Sequence, residues 1–271
     1  MAETVRVAIA AATRTFDSPT ARLDAELLMA HALGVAREVM LMRHLDDPAP
    51  AAFAALVERR AAQEPVAYIT GARDFWTISL RVAPGVLIPR ADSETLIEAA
   101  VAHFGERSPQ TVLDLGTGSG ALLLAVLDQW PGARGIGVDR SPDALAIAQA
   151  NAELLGMGER ATIVSGGWEG RGGPHDLILC NPPYIESGAV LPREVAEYEP
   201  AGALFAGADG LNDYRAIASL LGAQIAPGGV ACIEIGADQG ESAAALFRAQ
   251  GLTVVVRPDL AGRDRCLVVT P

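Results

Sequence analysis

A short apolar run that ends at two consecutive prolines is the feature that most constrains this sequence. Residues 177–180 (LILC) are apolar, and Asn181, Pro182, Pro183 and Tyr184 follow them. Such a run is typical of a strand that is covered on both faces of a parallel sheet. Because proline has a fixed φ and no N–H donor, the strand cannot continue past Asn181. The sequence therefore predicts a sheet with the Asn181 side chain at its carboxyl edge, where open α/β sheets bind ligands.

The four residues of this NPPY tip suit a planar amino group. The side-chain oxygen of Asn181 and the main-chain carbonyl of Pro182 are two acceptors that can converge on one –NH2 group. Tyr184 offers a flat face on which a planar amide or base can stack. An Asn-Pro turn without a chemical role is the alternative. We predict an acceptor-binding and catalytic group that consists of Asn181, Pro182, Pro183 and Tyr184.

A glycine-rich turn follows an earlier predicted strand, at residues 112–115, and leads into a helix at residues 121–129. Glycines let a ligand approach the backbone closely, and the free N–H groups at a helix start attract its polar atoms. The turn lacks the spacing of the dinucleotide fingerprint and has no lysine for a triphosphate, which favours a nucleoside ligand without phosphates. The predicted ligand-binding residues of this turn are Gly116, Thr117, Gly118, Ser119 and Gly120.

Two further residues are candidates for the same ligand. Asp139 ends the next predicted strand, about 20 residues after the turn, where a carboxylate can bind both hydroxyls of a ribose. It can also serve as a cap for the helix that starts near Ser141. Trp168 lies in a glycine-rich loop, residues 166–174, and is either a hydrophobic plug or a wall for a planar ring.

The pattern along the chain predicts a small helical domain followed by an α/β domain. Residues 1–64 favour helices, with one helix over residues 20–34 that ends at Gly34. Residues 67–71 and 75–82 favour strands, with a hairpin-type loop at 71–74 between them. From residue 111 onward, seven strands alternate with helices and the last two form a hairpin. This order predicts an α/β fold, a seven-stranded doubly wound sheet with one antiparallel edge strand.

The predicted domains are residues 1–64, a helical substrate-recognition domain; residues 65–90, a β-hairpin linker; and residues 91–271, the catalytic domain. A capping role without substrate recognition is the alternative for the first of them.

Composition excludes several functional classes. A net charge of −12 and a pI near 4.8 argue against a broad duplex-binding surface and are compatible with a basic, ribosome-associated protein partner. Three widely spaced cysteines suit reduced thiols in the cytoplasm, and the four histidines lack metal-ligand spacing. No apolar run approaches the ~18 residues that a membrane span needs. We expect a cytoplasmic enzyme with no metal site and no membrane association.

These motifs together resemble a known family. The core, with DLGTGSG at residues 114–120 and Asp139, is similar to class I S-adenosylmethionine-dependent methyltransferases, and the NPPY tip is similar to their amino-methylating members. The whole chain resembles the peptide chain release factor glutamine methyltransferases. That resemblance is carried by LDAELL at 23–28, EPVAYITG at 64–71, LIPR at 87–90, EYEP at 197–200, DGL at 209–211 and GRDR at 262–265.

The resemblance implies the cofactor, the substrate and the site. The enzyme would use S-adenosyl-L-methionine to methylate the side-chain amide of the glutamine in the Gly-Gly-Gln motif of release factors, which links it to translation termination. The substrate contacts would come from the NPPY tip. This chain departs from the family at Gly166 and Gly167, where an Asp often precedes the Trp, and at Ala91, where Pro is frequent. The implied cofactor-binding residues are Gly116, Thr117, Gly118, Ser119, Gly120, Asp139, Trp168 and Asn181.

Three alternatives share parts of this pattern. A glutamine methyltransferase that acts on a ribosomal protein would have the same core and tip. A nucleic-acid amino-methyltransferase would also share them, but it should carry a basic groove. A cofactor-binding module without activity would not need an intact acceptor tip.

Overall fold

The computed structural model describes residues 3–271, and these residues form two compact units. One unit comprises the described residues up to Ala72 together with Leu191–Tyr198; the other comprises Arg73–Val190 and Glu199–Pro271. The helices in chain order are α1 Val5–Thr15, α2 Ala21–Leu33, α3 Arg37–Arg43, α4 Ala52–Ala61, α5 Val66–Thr70, α6 Glu94–Phe104, α7 Ala121–Gln129, α8 Pro142–Leu154, α9 Arg193–Tyr198, α10 Asn212–Leu221 and α11 Gly240–Arg248. The strands are β1 Ala72–Phe75, β2 Ile78–Arg81, β3 Thr111–Leu115, β4 Arg134–Asp139, β5 Ala161–Ser165, β6 His175–Cys180, β7 Ile225–Glu234, β8 Thr253–Pro258 and β9 Asp264–Thr270.

The first unit is helical and has its own core. It contains α1 to α5 and α9, with Leu28, Met29 and Met40 fully buried between helices. Gly34 ends α2 with a left-handed φ of 68°, as the sequence predicts. Arg60 is only 4% exposed, and it pairs with Asp24 at 2.9 Å and with Glu194 of α9 at 2.9 Å. Through these ion pairs, Arg60 connects α4 to α2 and to α9, which is distant in sequence.

The strand predicted at residues 67–71 is wrong, because this segment is helix α5. Pro65 precedes its first turn and Gly71 follows its last, with φ 72°. This is the usual order of these two residues at helix ends. Tyr68 and Ile69 are buried by packing, which outweighs their preference for strands. A five-residue apolar run does not separate a helix from a strand by periodicity.

The predicted hairpin exists, but it is displaced along the sequence. Residues 72–74, which were expected to form part of its loop, belong to β1. The turn between β1 and β2 contains Trp76, whose φ is 54°. The main-chain N–H of Trp76 donates to the Glu94 carboxylate at 2.9 Å, which ties the turn to the start of α6.

The second unit is built on a seven-stranded sheet of order β5-β4-β3-β6-β7-β9-β8, which confirms the predicted α/β class. β3 pairs in parallel with both β4 and β6, so the chain order reverses between β3 and β6. The prediction that the antiparallel strand lies at the edge of the sheet is wrong. β9 runs antiparallel to both β7 and β8 and lies between them, and β8 occupies the edge.

Helices cover both faces of this sheet. On one face, Leu177 and Leu179 of β6 pack with α6 and α7; on the other, Ile178 and Cys180 pack with α10 and α11. The residues of 177–180 therefore point alternately into two cores, as the apolar run predicts. No helix in residues 3–271 is long and apolar enough to cross a membrane.

Candidate active site

A cavity of about 550 Å³ opens where the strand order reverses, at the carboxyl ends of β3, β4 and β6. This is the position at which doubly wound sheets bind ligands. Of the residues predicted to form the site, the cavity is lined by Gly116, Thr117, Gly118, Ser119, Asp139, Trp168, Asn181 and Pro183. Gly120, Pro182 and Tyr184 lie next to these residues without lining the cavity.

The glycine-rich turn presents bare backbone to the cavity. Gly116, Gly118 and Gly120 have φ values of 71°, 55° and 83°, a region that side-chain-bearing residues rarely adopt. A Cβ added to Gly116 would lie 3.3 Å from two ring carbons of Trp168. The turn thus keeps a backbone conformation that glycine favours, and a side chain at Gly116 would meet Trp168.

Asp139 connects two structural elements beside the cavity. Its Oδ2 accepts the N–H of Gly118 at 2.9 Å, and its Oδ1 accepts the N–H of Ser141 at 2.9 Å. The side chain that caps α8 is Ser141, whose Oγ accepts the N–H of Ala144 at 3.3 Å. Asp139 therefore supports the helix start, while each of its oxygens keeps acceptor capacity for a further donor.

Trp168 is fixed in orientation. Its indole N–H donates to Asp213 at 3.0 Å and its carbonyl accepts from Gln224 at 3.0 Å. The ring packs against the hydrophobic core and also lines the cavity, and its role as a wall for a planar ring stays a prediction. Glu169 follows it, accepts the N–H of Gly167 at 3.0 Å and also lines the cavity.

The amide of Asn181 is oriented by a serine. Its Nδ2 donates to Ser93 Oγ at 3.2 Å, and Ser93 is buried at the end of a short 3-10 helix, Ala91–Ser93. No residue within 3–271 forms a hydrogen bond with Oδ1 of Asn181. The side-chain oxygen is thus the end of the amide without a partner among these residues, and its role as an acceptor for substrate stays a prediction.

Tyr184 points its hydroxyl away from the cavity. The hydroxyl donates to Glu234 Oε1 at 3.3 Å, and the Tyr184 carbonyl accepts from Gln239 at 3.0 Å. Burial raises the pKa of Tyr184 above its usual range. The stacking role of its ring stays a prediction.

The sequence interpretation missed Ser93 and Glu234. Neither residue was among the predicted site residues. An acid at the end of an otherwise apolar strand, residues 230–235, is the signal that could have identified Glu234. Burial raises its pKa to about 7.

An ion pair between Glu199 and Arg90, which were not among the predicted site residues, fixes the chain near the cavity. Glu199 is buried, and its carboxylate accepts the N–H of Ile88 at 3.2 Å and a hydrogen bond from Arg90. Pro200 and Gly202, which follow it, line the cavity. Glu199 lies in the EYEP motif and Arg90 in LIPR, so the pair joins two motifs that are distant in sequence.

No cluster of three or more histidine, cysteine, aspartate or glutamate side chains able to hold a metal ion occurs within residues 3–271.

Two sequence families match this chain. The family described as PrmC N-terminal domain matches residues 8–71, and the methyltransferase small domain matches residues 91–198. The first match covers most of the helical unit, and the second contains the glycine-rich turn, Asp139, Trp168 and the NPPY tip.

Curated proteins named release factor glutamine methyltransferase are similar over almost the whole chain. The Rhodospirillum rubrum protein is 42% identical over 91% of this chain and 78% of its own length. The Cereibacter sphaeroides protein is 46% identical over 89% and 88%, and the Mycolicibacterium smegmatis protein is 40% identical over 98% and 97%.

Solved structures share the fold at low sequence identity. The ribosomal protein L11 methylase of Lactobacillus delbrueckii subsp. bulgaricus is 19% identical with a TM-score of 0.51, over 70% of this chain and 84% of its own. The hMettl16 catalytic domain is 15% identical with a TM-score of 0.57, over 79% and 80%. These structures show the class I methyltransferase fold alone. The sequence relationships show more, and the chain belongs to the release factor glutamine methyltransferase family and is a methyltransferase.

Proposed function

We propose that this enzyme transfers a methyl group from S-adenosyl-L-methionine to the side-chain amide nitrogen of the glutamine in the Gly-Gly-Gln motif of peptide chain release factors. The observation that carries the proposal is one cavity in which the free amide oxygen of Asn181 and the glycine-rich turn lie together with Asp139.

The residues on the cofactor side fit S-adenosylmethionine. Three glycines with positive φ leave the turn free of side chains, and Asp139 retains acceptor capacity for the two ribose hydroxyls. The rigid ring of Trp168 is a wall for a planar base, and Glu169 adds a carboxylate to the lining. The bound cofactor would supply an electrophilic methyl group.

The acceptor side orients a weak nucleophile. The lone pair of an amide nitrogen is delocalised and therefore weakly nucleophilic. The first requirement of the site is thus to orient this nitrogen toward the methyl group. Asn181 Oδ1 and the Pro182 carbonyl would accept the two amide hydrogens, which turns the nitrogen toward the methyl group and stabilises the positive charge that develops there. The proton can leave after transfer, when the nitrogen is much more acidic, so the mechanism assigns no general base.

The choice of release factors is supported by the curated relatives, whose names specify this substrate. In this proposal the helical unit, most of which matches the family described as PrmC N-terminal domain, recognises the substrate. A net charge of −12 is compatible with a protein substrate that carries basic, ribosome-facing surfaces. Such a substrate locates the reaction in the cytoplasm.

The test is peptide mass spectrometry of a purified release factor after incubation with this protein and S-adenosylmethionine. We expect one added methyl group, located on the Gly-Gly-Gln glutamine. A release factor with Glu in place of that Gln is the matched control, because it keeps the protein surface and lacks the amide.

Methylation of the control, or of another residue, would contradict the proposed acceptor. No transfer to release factors while S-adenosylhomocysteine binds would overturn the substrate and direct the same assay to ribosomal proteins and then to nucleic acid.

A further inference from the structure

Glu169 lies in the loop that follows β5 and lines the cavity beside Gly166, Gly167 and Trp168. Its side chain folds back over this loop, because Oε1 accepts the main-chain N–H of Gly167 at 3.0 Å. A Cβ added to Gly167 would lie only 2.7 Å from Oε2 and 3.6 Å from Oε1. The carboxylate of Glu169 therefore occupies the space that a side chain at residue 167 would take.

This carboxylate is ionised and can accept further hydrogen bonds. The main-chain N–H groups of Glu169 and Gly167 hold the pKa of the carboxyl below its usual value. An ionised carboxylate has about four lone-pair sites and no donor, so it binds amino groups and repels carbonyl oxygens. Among the described residues, the lining of the cavity contains one other carboxylate, Asp139. Its oxygens accept the N–H groups of Gly118 and Ser141, so the two carboxylates hold different parts of the site.

The strand order determines which part of the cofactor would lie near Glu169. The carboxyl ends of the parallel strands follow the order β5, β4, β3, β6. Asp139 ends β4 and pairs with Ser165 of β5, and its main-chain oxygen accepts the N–H of Gly166 at 3.1 Å. In S-adenosylmethionine the ribose connects the sulfonium to the base. With the ribose at Asp139 and the methyl group directed toward Asn181 after β6, the base would lie on the β5 side, next to Glu169.

We propose that Glu169 is a specificity-determining residue of the cofactor site, whose carboxylate accepts the exocyclic amino group of the adenine and so selects an aminopurine over an oxopurine. The inference rests on the proposed function, because it takes S-adenosylmethionine as the cofactor and Asp139 as its ribose acceptor. The alternative is that Glu169 only closes the turn by accepting the N–H of Gly167, in which case its chemistry would not affect the choice of base.

The first experiment compares two ligands by calorimetry on the full-length protein. S-adenosylhomocysteine carries the amino group, and S-inosylhomocysteine carries an oxygen in its place. The wild-type protein should prefer S-adenosylhomocysteine by about tenfold or more, the effect of one hydrogen bond to a charged group. An equal affinity for the two ligands would overturn the proposal.

Glu169→Gln separates recognition of the base from closure of the turn. The glutamine keeps one oxygen for the N–H of Gly167 and replaces the other with an –NH2 donor, which can bind the purine oxygen. The preference for S-adenosylhomocysteine should therefore fall to less than about twofold, mainly because this ligand binds about tenfold more weakly. Equal weakening of both ligands, or an unchanged preference, would overturn the proposal.

Glu153→Gln is the matched control for the loss of one negative charge. Glu153 lies on α8, is exposed and does not line the cavity. Both affinities should stay at their wild-type values in this variant. A loss of preference here as well as in Glu169→Gln would assign the effect to net charge and overturn the proposal.

The second experiment moves the carboxylate from residue 169 to residue 167. Gly167 does not have a positive φ, and the atoms nearest to an added Cβ belong to Glu169, so Glu169→Ala makes room for a side chain there. Glu169→Ala alone should lose the preference, and Gly167→Asp/Glu169→Ala should regain most of it. Gly167→Ala/Glu169→Ala, which has the added Cβ without the carboxylate, is the control. A double variant with Asp that discriminates no better than this control would overturn the proposal.

The wild-type measurement distinguishes failure of this inference from failure of the proposed function. If the wild-type protein binds S-adenosylhomocysteine and the Glu169 variants keep its preference, the inference alone fails. If the wild-type protein binds neither ligand, the proposed cofactor and the inference fail together.

Discussion

The carboxylate of Asp139 accepts the main-chain N–H of Gly118 at 2.9 Å, which joins the end of β4 to the turn after β3. One side chain thus shapes the glycine-rich turn and offers acceptors to the cavity. Replacing Asp139 would therefore remove both the contact that holds the turn and the proposed acceptor for the ribose hydroxyls.

Asp139→Ala should weaken S-adenosylhomocysteine binding, measured by calorimetry, by about 10- to 100-fold. The reason is the loss of charge-assisted hydrogen bonds, worth about 1.5–3 kcal/mol each. Asp128→Ala is the control, because the Asp128 carboxylate accepts a hydrogen bond from the exposed Thr77 at 2.6 Å and does not line the cavity. Equal affinity in the two variants would contradict the role of Asp139.

Gly116→Ala should reduce both stability and cofactor affinity. A left-handed φ costs a non-glycine residue about 1–2 kcal/mol, and the new methyl group would press on Trp168. Gly251→Ala separates the two effects, because Gly251 has a φ of 82° and no atom within 4 Å of an added Cβ. We expect similar losses of Tm from the backbone and a loss of affinity only at Gly116. An affinity loss at both positions would mean that the fold, and not the site, is affected.

Asn181→Ala should lower kcat for glutamine methylation by an amount equivalent to about 2–4 kcal/mol, the usual effect of losing one preorganised polar partner of the transition state. Asn212→Ala is the control, since Asn212 lies at the start of α10. Near-normal turnover in Asn181→Ala with unchanged cofactor affinity would refute the assignment.

Arg60→Ala should destabilise the helical unit by about 3 kcal/mol or more, because it leaves the buried Asp24 carboxylate without its charged partner. Arg59→Ala should cost less than about 1 kcal/mol, because Arg59 is 45% exposed and its pair with Glu64 is near the surface. Urea denaturation of both variants tests this contrast. Equal destabilisation would show that burial of the ion pair has no special effect.

Asp114→Asn should change how stability depends on pH. Burial raises the pKa of Asp114 from 3.8 to about 7, so the folded state keeps a proton that the unfolded chain releases. This contribution to stability is complete below pH 3.8 and is lost as the pH rises toward 7, by at most about 1.4 kcal/mol per pH unit. The variant should therefore lose less stability than wild type across this window. The exposed Asp46→Asn control should follow wild type, and parallel curves for Asp114→Asn and wild type would contradict the shift.

The sequence predicted those parts of the fold and site that depend on local pattern. The strand before Asn181, the turn at Gly116 and the acid at Asp139 each have a local signature in apolar runs, glycine spacing or strand ends. Their convergence followed from the rule that parallel strands end at one edge. Helix α5 was missed because five apolar residues fit both structures, and the place of β9 inside the sheet is not encoded in its own residues.

Ser93 and Glu234 were missed for a different reason. Ser93 contacts Asn181 and Glu234 contacts Tyr184 only through the tertiary structure, and no spacing in the sequence brings these residues together. For Trp168, the sequence did not separate a plug from a wall, because the partner that fixes its indole, Asp213, lies on α10.

Membership of α9 in the helical unit has a topological consequence. The chain passes between the two units at three places, after Ala72, after Val190 and after Tyr198. A single proteolytic cut after Val190 or after Tyr198 leaves the segment that ends at Ala72 covalently joined to Arg73–Val190, whereas a cut after Ala72 releases this segment and leaves α9 attached to the other unit. A fragment that stops at residue 72 also lacks the Glu194 partner of Arg60 and the Tyr198 hydroxyl that donates to the Ala62 carbonyl at 3.0 Å. The helical unit is therefore discontinuous in sequence, and excising it intact requires grafting residues 191–198 back onto the N-terminal segment.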